Sequence, residues 1–219
     1  RPSHVDRLTS TVRCIRGTMT TDATLAYAEQ FQPEDHHLQT ARQHAESVGV
    51  VPVLPGARAA LTFLAGAAGA QNIAEIGTGT GVSGLALLRG MAAGGVLTSV
   101  DLEAENQRLA REVFLAADIA PTRFRLITGS ALQVLPRLND GGYDMVFCDG
   151  DKVEYAEYFG EALRLTRPGG FVVCDNALWH DRVADPSQRD PETLAIRELT
   201  ERAGADEDLS SLLIPLGDG

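Results

Sequence analysis

The chain has 219 residues, 44% of them apolar and 22% charged, which excludes a disordered chain and suffices for one large domain. Its 19 Lys and Arg against 30 Asp and Glu leave a net charge of −11, a poor balance for gripping bare phosphate backbones or anionic membranes. No apolar run approaches the roughly 20 residues of a membrane span, no secretory signal follows Arg1, Arg7, Arg13 and Arg16, and Cys14, Cys148 and Cys174 are too scattered for a disulfide framework, so a soluble, cytosolic, single-domain protein is expected.

The chain begins without an initiator Met, so its natural start is expected to lie further upstream. Residues 1–21 read as loop or weak helix. Helices are predicted over 22–31 and 34–48, the second set between Pro33 and Gly49. VVPVLP (50–55) breaks the pattern, and Ala57, Ala60, Leu61, Leu64 and Ala68 resume helical spacing. Short apolar runs at 73–76, 96–101, 124–128, 144–148 and 171–174 then alternate with helical segments near 82–92, 104–117, 130–138 and 153–166. That alternation predicts an α/β fold, a doubly wound and mainly parallel sheet with helices on both faces. A last helix should start at Asp190, with Pro191 in its first turn. Residues 209–216 read as a sixth strand, and none remain for a further antiparallel edge strand.

The first chemical signal is AEIGTGTGVSG (74–84). Glycines after a strand let the chain turn tightly and let a ligand approach the backbone. A literal GxGxxG at Gly79, Gly81 and Gly84 would suggest a dinucleotide, but it begins three residues beyond the strand, too late for that fingerprint. The register Glu75-x-Gly77-x-Gly79-x-Gly81 instead sets a carboxylate beside the pocket. A pyrophosphate would be repelled there, whereas the cationic sulfonium and ammonium of S-adenosylmethionine suit an acid. This pattern resembles motif I of class I S-adenosylmethionine-dependent methyltransferases. Asp101, 24 positions after Gly77, ends the second strand near the spacing at which an acid reaches ribose hydroxyls. That supports an adenosine ligand without choosing between dehydrogenase and methyltransferase.

Strand four ends in FCDGDK (147–152) and strand five in VVCDNALW (172–179). The carboxyl ends of the strands border the ligand crevice, so Asp149, Asp151, Asp175 and Asn176 should meet there. Clustered carboxylates repel unless a cation joins them, and oxygen-only ligands suit Mg²⁺. Together the motifs resemble the cation-dependent O-methyltransferases of the catechol and caffeoyl-CoA type, and more narrowly the bacterial family 3 O-methyltransferases, from about residue 22 to the end. Even TLAYAEQF and PVLPGARAALTFL have counterparts in that group.

The resemblance implies a Rossmann-like methyltransferase core over 53–219 with an N-terminal helical extension over 1–52. It implies that Val53, Glu75, Gly77, Thr78, Gly79, Ser83, Asp101, Leu102, Ala131 and Asp151 contact S-adenosylmethionine. It places Mg²⁺, or Mn²⁺ or Ca²⁺, on Asp149, Asp175 and Asn176, and sets Lys152 where catechol methyltransferases carry their general base. The acceptor would be a small aromatic with vicinal hydroxyls, the protein a homodimer, and nucleic acid and membrane no partners. Position 150 departs harmlessly, being Gly where the group often has Ala. The stretch between Ala131 and Asp149 is short compared with plant relatives, and the acceptor-side residues cannot be aligned.

Other candidates have plainer readings. Cys148 and Cys174 are small hydrophobes near strand ends. His36, His37 and His44 lie on a surface helix with no further ligand evident. Tyr155 and Tyr158 read as packing, Trp179 as pocket wall or loop packing, and His180 as a second-base candidate. Competing functions are a tRNA hydroxyuridine methyltransferase on the same core, a nicotinamide oxidoreductase, and a non-catalytic ligand-binding module.

Overall fold

The computed structural model describes residues 22–217. Three helices come first: α1 (Asp22–Gln30), α2 (His36–Val48) and α3 (Pro55–Ala67). α2 starts two residues later than its sequence pattern because Asp35 caps it, its side chain accepting from the Leu38 N–H at 3.1 Å. Gly49, at φ 72°, closes it in the left-handed conformation that glycine adopts without strain. Pro55 opens α3 at the position where a missing N–H is harmless.

The alternating core follows: β1 (Asn72–Ile76), α4 (Val82–Gly90), β2 (Val96–Asp101), α5 (Ala104–Ala116), β3 (Phe124–Thr128), α6 (Ala131–Val134), β4 (Tyr143–Cys148), α7 (Tyr155–Leu165), β5 (Thr166–Cys174) and α8 (Pro191–Ala205). The strands form one five-stranded sheet in the order β3-β2-β1-β4-β5, every pairing parallel. The winding reverses between β1 and β4, and a crevice opens there at the carboxyl ends. Side chains of one strand alternate between two cores. Ile73, Met145 and Phe147 face the cluster under α3, α4 and α5, while Ala74, Val146 and Cys148 face the one under α7 and α8. Tyr155 and Tyr158 are in that second core, as their helical spacing predicts.

Four expectations change. The helix near 130–138 shortens to α6 and a 3-10 turn over Leu135–Arg137, because Pro136 lacks the N–H an α-helix would use. The helix near 153–166 begins with a 3-10 turn over Lys152–Glu154 before α7. β5 starts at Thr166, five residues early, since a bulge between Tyr143 and Met145 takes up Pro168, Gly169 and Gly170. Residues 209–216 are irregular and not a strand. Leu209 packs on the second core, but Leu212, Leu213 and Ile214 are exposed, and Pro215 cannot donate to a ladder. No helix of the described residues is long and apolar enough to cross a membrane.

Candidate active site

The turn after β1 is built around Gly77 (φ 92°), the first residue beyond the strand, and Gly79 and Gly81 also have positive φ. A cleft of about 140 Å³ opens over it, lined by Val53, Gly77, Thr78, Gly79, Ser83, Asp101 and Asp149 among the predicted residues. Val50, Val51, Pro52, Thr80, Val82 and Asn106 complete the lining. The 50–53 wall is anchored from α2: Arg42 donates to the Val53 carbonyl at 2.9 Å while forking onto Glu34 at 2.6 and 2.7 Å. Asp101 is fixed by backbone donors, with Gly79 N–H on Oδ2 and Glu103 N–H on Oδ1, both at 2.8 Å.

Glu75 does not line the cleft. It is fully buried beneath it and accepts from Ser83 Oγ at 2.7 Å and Ser99 Oγ at 2.5 Å. Ser99 Oγ also lies 2.7 Å from Thr78 Oγ1, and Gln107 bridges Thr78, the Ser99 and Ile127 carbonyls and Thr128. Glu75 thus acts on the cleft floor through Ser83 and Thr78. Burial pushes its carboxyl up to about 8, against the two serine hydrogen bonds and with help from the negative Asp149 and Asp101. The raised value means the fold favours the neutral acid. That stability is full below about 4.5, the ordinary value, and is lost as pH rises through about 8. Thermal melts of Glu75→Gln against the parent should therefore diverge from pH 5 to pH 9, the parent losing Tm and the variant not. Parallel curves would show that Glu75 ionises freely.

The other predicted cofactor residues are not among those that line the cleft. Leu102 is 68% exposed beside Asp101, and Ala131 is buried at the start of α6. Asp151 is exposed and accepts from Val153 N–H.

At the ends of β4 and β5, Cys148 and Cys174 are register partners, which sets Asp149 and Asp175 side by side. Asp149 N–H reaches the Ile76 carbonyl and Asp175 N–H the Cys148 carbonyl. Lys152 is only 9% exposed, and its Nζ donates to Asp149 Oδ1 at 2.8 Å and to the Tyr155 hydroxyl at 2.7 Å. It lies 4.7 Å from the Tyr155 ring centroid and 5.8 Å from that of Trp179. Tyr155 donates to the Asp175 carbonyl at 3.1 Å. Asn176 is buried at φ 55°, a left-handed conformation that Asn tolerates. Among the described residues no group of three or more His, Cys, Asp and Glu side chains is arranged around a common point to hold a metal. The predicted set of two carboxylates and one amide is nonetheless all hard oxygen, the donor chemistry a small divalent cation takes.

His36, His37 and His44 line a groove of about 400 Å³ between α2 and α5, with Glu112 opposite. Cys148 and Cys174 are free thiols. Ser99, Gln107, Asn106 and Tyr155 reach the site through the fold, and no motif in the sequence marks them. One signal in the sequence did mark Lys152: of the 19 Lys and Arg, it is the single lysine.

Residues 17–219 match the family model described as O-methyltransferase. The chain belongs to the O-methyltransferase family. A Mycobacterium ulcerans protein whose name assigns it as an O-methyltransferase is 47% identical over 194 residues, covering 89% of this chain and 87% of that one. The O-methyltransferase TomG from Streptomyces achromogenes, involved in tomaymycin synthesis and solved with S-adenosylmethionine, has 30% identity, a TM-score of 0.77 and 86% coverage of both chains. An O-methyltransferase from Bacillus cereus, solved with S-adenosylhomocysteine, has 29% identity, a TM-score of 0.76 and coverage of 86% and 87%. This S-adenosylmethionine-dependent O-methyltransferase therefore carries the glycine turn, Asp101 and the D-G-D-K and D-N segments of its sequence at the carboxyl ends of its strands.

Proposed function

We propose that this O-methyltransferase moves the methyl group of S-adenosylmethionine to one hydroxyl of a small catechol-like aromatic, with a divalent cation assisting. The observation that carries the reading is Asp149: it lines the glycine cleft and also accepts from Lys152 Nζ at 2.8 Å. A cofactor seated in the cleft would thus sit next to a base and two neighbouring carboxylates.

In this reading Val53, Gly77, Thr78, Gly79, Ser83 and Asp101 hold the cofactor directly, Glu75 through Ser83, and Leu102, Ala131 and Asp151 from the rim. An acidic surround suits the cofactor's two positive centres. Asp149, Asp175 and Asn176 would hold Mg²⁺, with Mn²⁺ or Ca²⁺ as substitutes. When bound, such an ion takes vicinal oxygens and lowers the pKa of a hydroxyl. Lys152, in its neutral form, takes the acceptor proton. The freed oxygen attacks the sulfonium methyl in line, the carbon–sulfur bond breaks, and sulfur leaves as a neutral thioether. The surrounding residues contribute by holding this geometry. The same reading treats 1–52 as an N-terminal extension of the 53–219 core, with Val50, Val51 and Pro52 at the cleft, and the enzyme as a cytoplasmic homodimer that acts on small molecules.

Label transfer from S-adenosylmethionine to caffeic acid and related vicinal diols tests the proposal. Transfer abolished by EDTA and restored by Mg²⁺ is expected. Transfer indifferent to EDTA removes the cation. Cofactor binding without transfer to any vicinal diol removes the catechol-like acceptor.

A further inference from the structure

Tyr155 begins α7, and its side chain is completely buried, yet its hydroxyl has three partners. Lys152 Nζ is 2.7 Å away, the Asp175 carbonyl 3.1 Å and the Cys148 carbonyl 3.3 Å. A phenol has one proton. It can donate to the carbonyl side and, through a lone pair, accept from the lysine. The lysine amine is then pinned between the Tyr155 oxygen and Asp149 Oδ1, with the Tyr155 ring beneath it. A flexible four-carbon side chain is thereby restricted to one position.

We propose that Tyr155 is a positioning residue for methyl transfer: its hydroxyl fixes the Lys152 amine beside Asp149 and ties it to the end of β5. The proposal rests on Lys152 as the base, and its test separates the two.

Tyr155→Phe keeps the ring and removes only the hydroxyl. With S-adenosylmethionine, Mg²⁺ and caffeic acid, its kcat should fall about 10- to 100-fold while the cofactor KM stays within about twofold. In a Lys152→Ala background the same change should cost less than about twofold, because the group it acts through is gone. Independent, additive losses would overturn the proposal, as would a joint collapse of cofactor binding and melting temperature. A Lys152→Ala variant with parental kcat would remove the base reading and the proposal with it, whereas a slow Lys152→Ala beside a parental Tyr155→Phe would remove the proposal alone. The second arm does not depend on turnover. Because Lys152 is the single lysine, ¹³C-lysine labelling gives one spin system. Its ε-carbon resonance should move on Tyr155→Phe, and an unmoved resonance overturns the proposal. Should the variant not fold, the parent protein decides: nuclear Overhauser contacts between the Lys152 ε-protons and the Tyr155 ring are required, and their absence refutes it.

Discussion

Replacing Lys152 with alanine should lower kcat by about 10²- to 10⁴-fold, the range a positioned general base contributes. The cofactor's dissociation constant, read by calorimetry, should stay near the parental value, because Lys152 is not among the residues that line the cleft. Burial and geometry both argue that the amine is placed for chemistry. An ammonium this enclosed is held by Asp149, by Tyr155 and by the faces of Tyr155 and Trp179. Every other basic position outside the histidines is arginine, the side chain that cannot give up its proton. Lys152→Arg therefore separates two roles. It keeps a positive charge next to Asp149 but cannot act as a base, so it should be nearly as slow as Lys152→Ala. Recovery of activity in the arginine variant would show that charge alone is needed. Parental activity in both would take Lys152 out of the reaction.

The parts of the fold visible in the sequence are those where one residue type has one physical job. The apolar runs at 96–101 and 124–128 become strands with the same bounds, and Gly77 turns where the E-x-G-x-G-x-G register puts it. Asp149 and Asp175 each follow the last residue of a parallel strand, and those residues, Cys148 and Cys174, are register partners, so the two strands end level. What was hidden depends on partners far away in the chain. Glu75 reads as a residue facing the ligand, but its neighbour Ile76 points to the opposite core and alternation turns Glu75 toward Ser83 and Ser99. Gln107 and Tyr155 look like helix residues, since nothing local shows that one bridges three strand-end groups and the other two strand ends. The 209–216 segment has the apolar content of a strand, but it pairs with neither outer strand of the sheet, and Gly217 N–H instead bonds to Glu29 at 2.8 Å. A pattern shows what a segment can do alone and not whether it meets an edge.

Gly77→Ala should cost the enzyme both stability and its cofactor. Gly77 sits at φ 92°, and an added Cβ would lie 2.1 Å from the Asp149 carbonyl oxygen and 2.8 Å from its carbon. Both atoms are backbone, and Asp149 N–H is bonded to the Ile76 carbonyl at 2.8 Å, so neither side can give way without parting β1 from β4. The left-handed conformation costs alanine about 1–2 kcal/mol, and overpacking of this kind about 1–3 kcal/mol more. A total of about 2–5 kcal/mol corresponds to a fall in Tm of about 4–20 °C for a chain of this size. The displaced atoms also carry Asp149 and the cleft floor, so cofactor binding should be lost in the molecules that still fold. Gly49→Ala is the matched control. Gly49 has φ 72° but nothing within 4 Å of its added Cβ, so it should show the conformational cost alone and bind the cofactor as the parent does. The difference between the two variants measures the contact between the ends of β1 and β4. Equal melting temperatures and intact binding in both would mean that those strand ends part easily, and the cleft would then owe its shape to something other than this close approach.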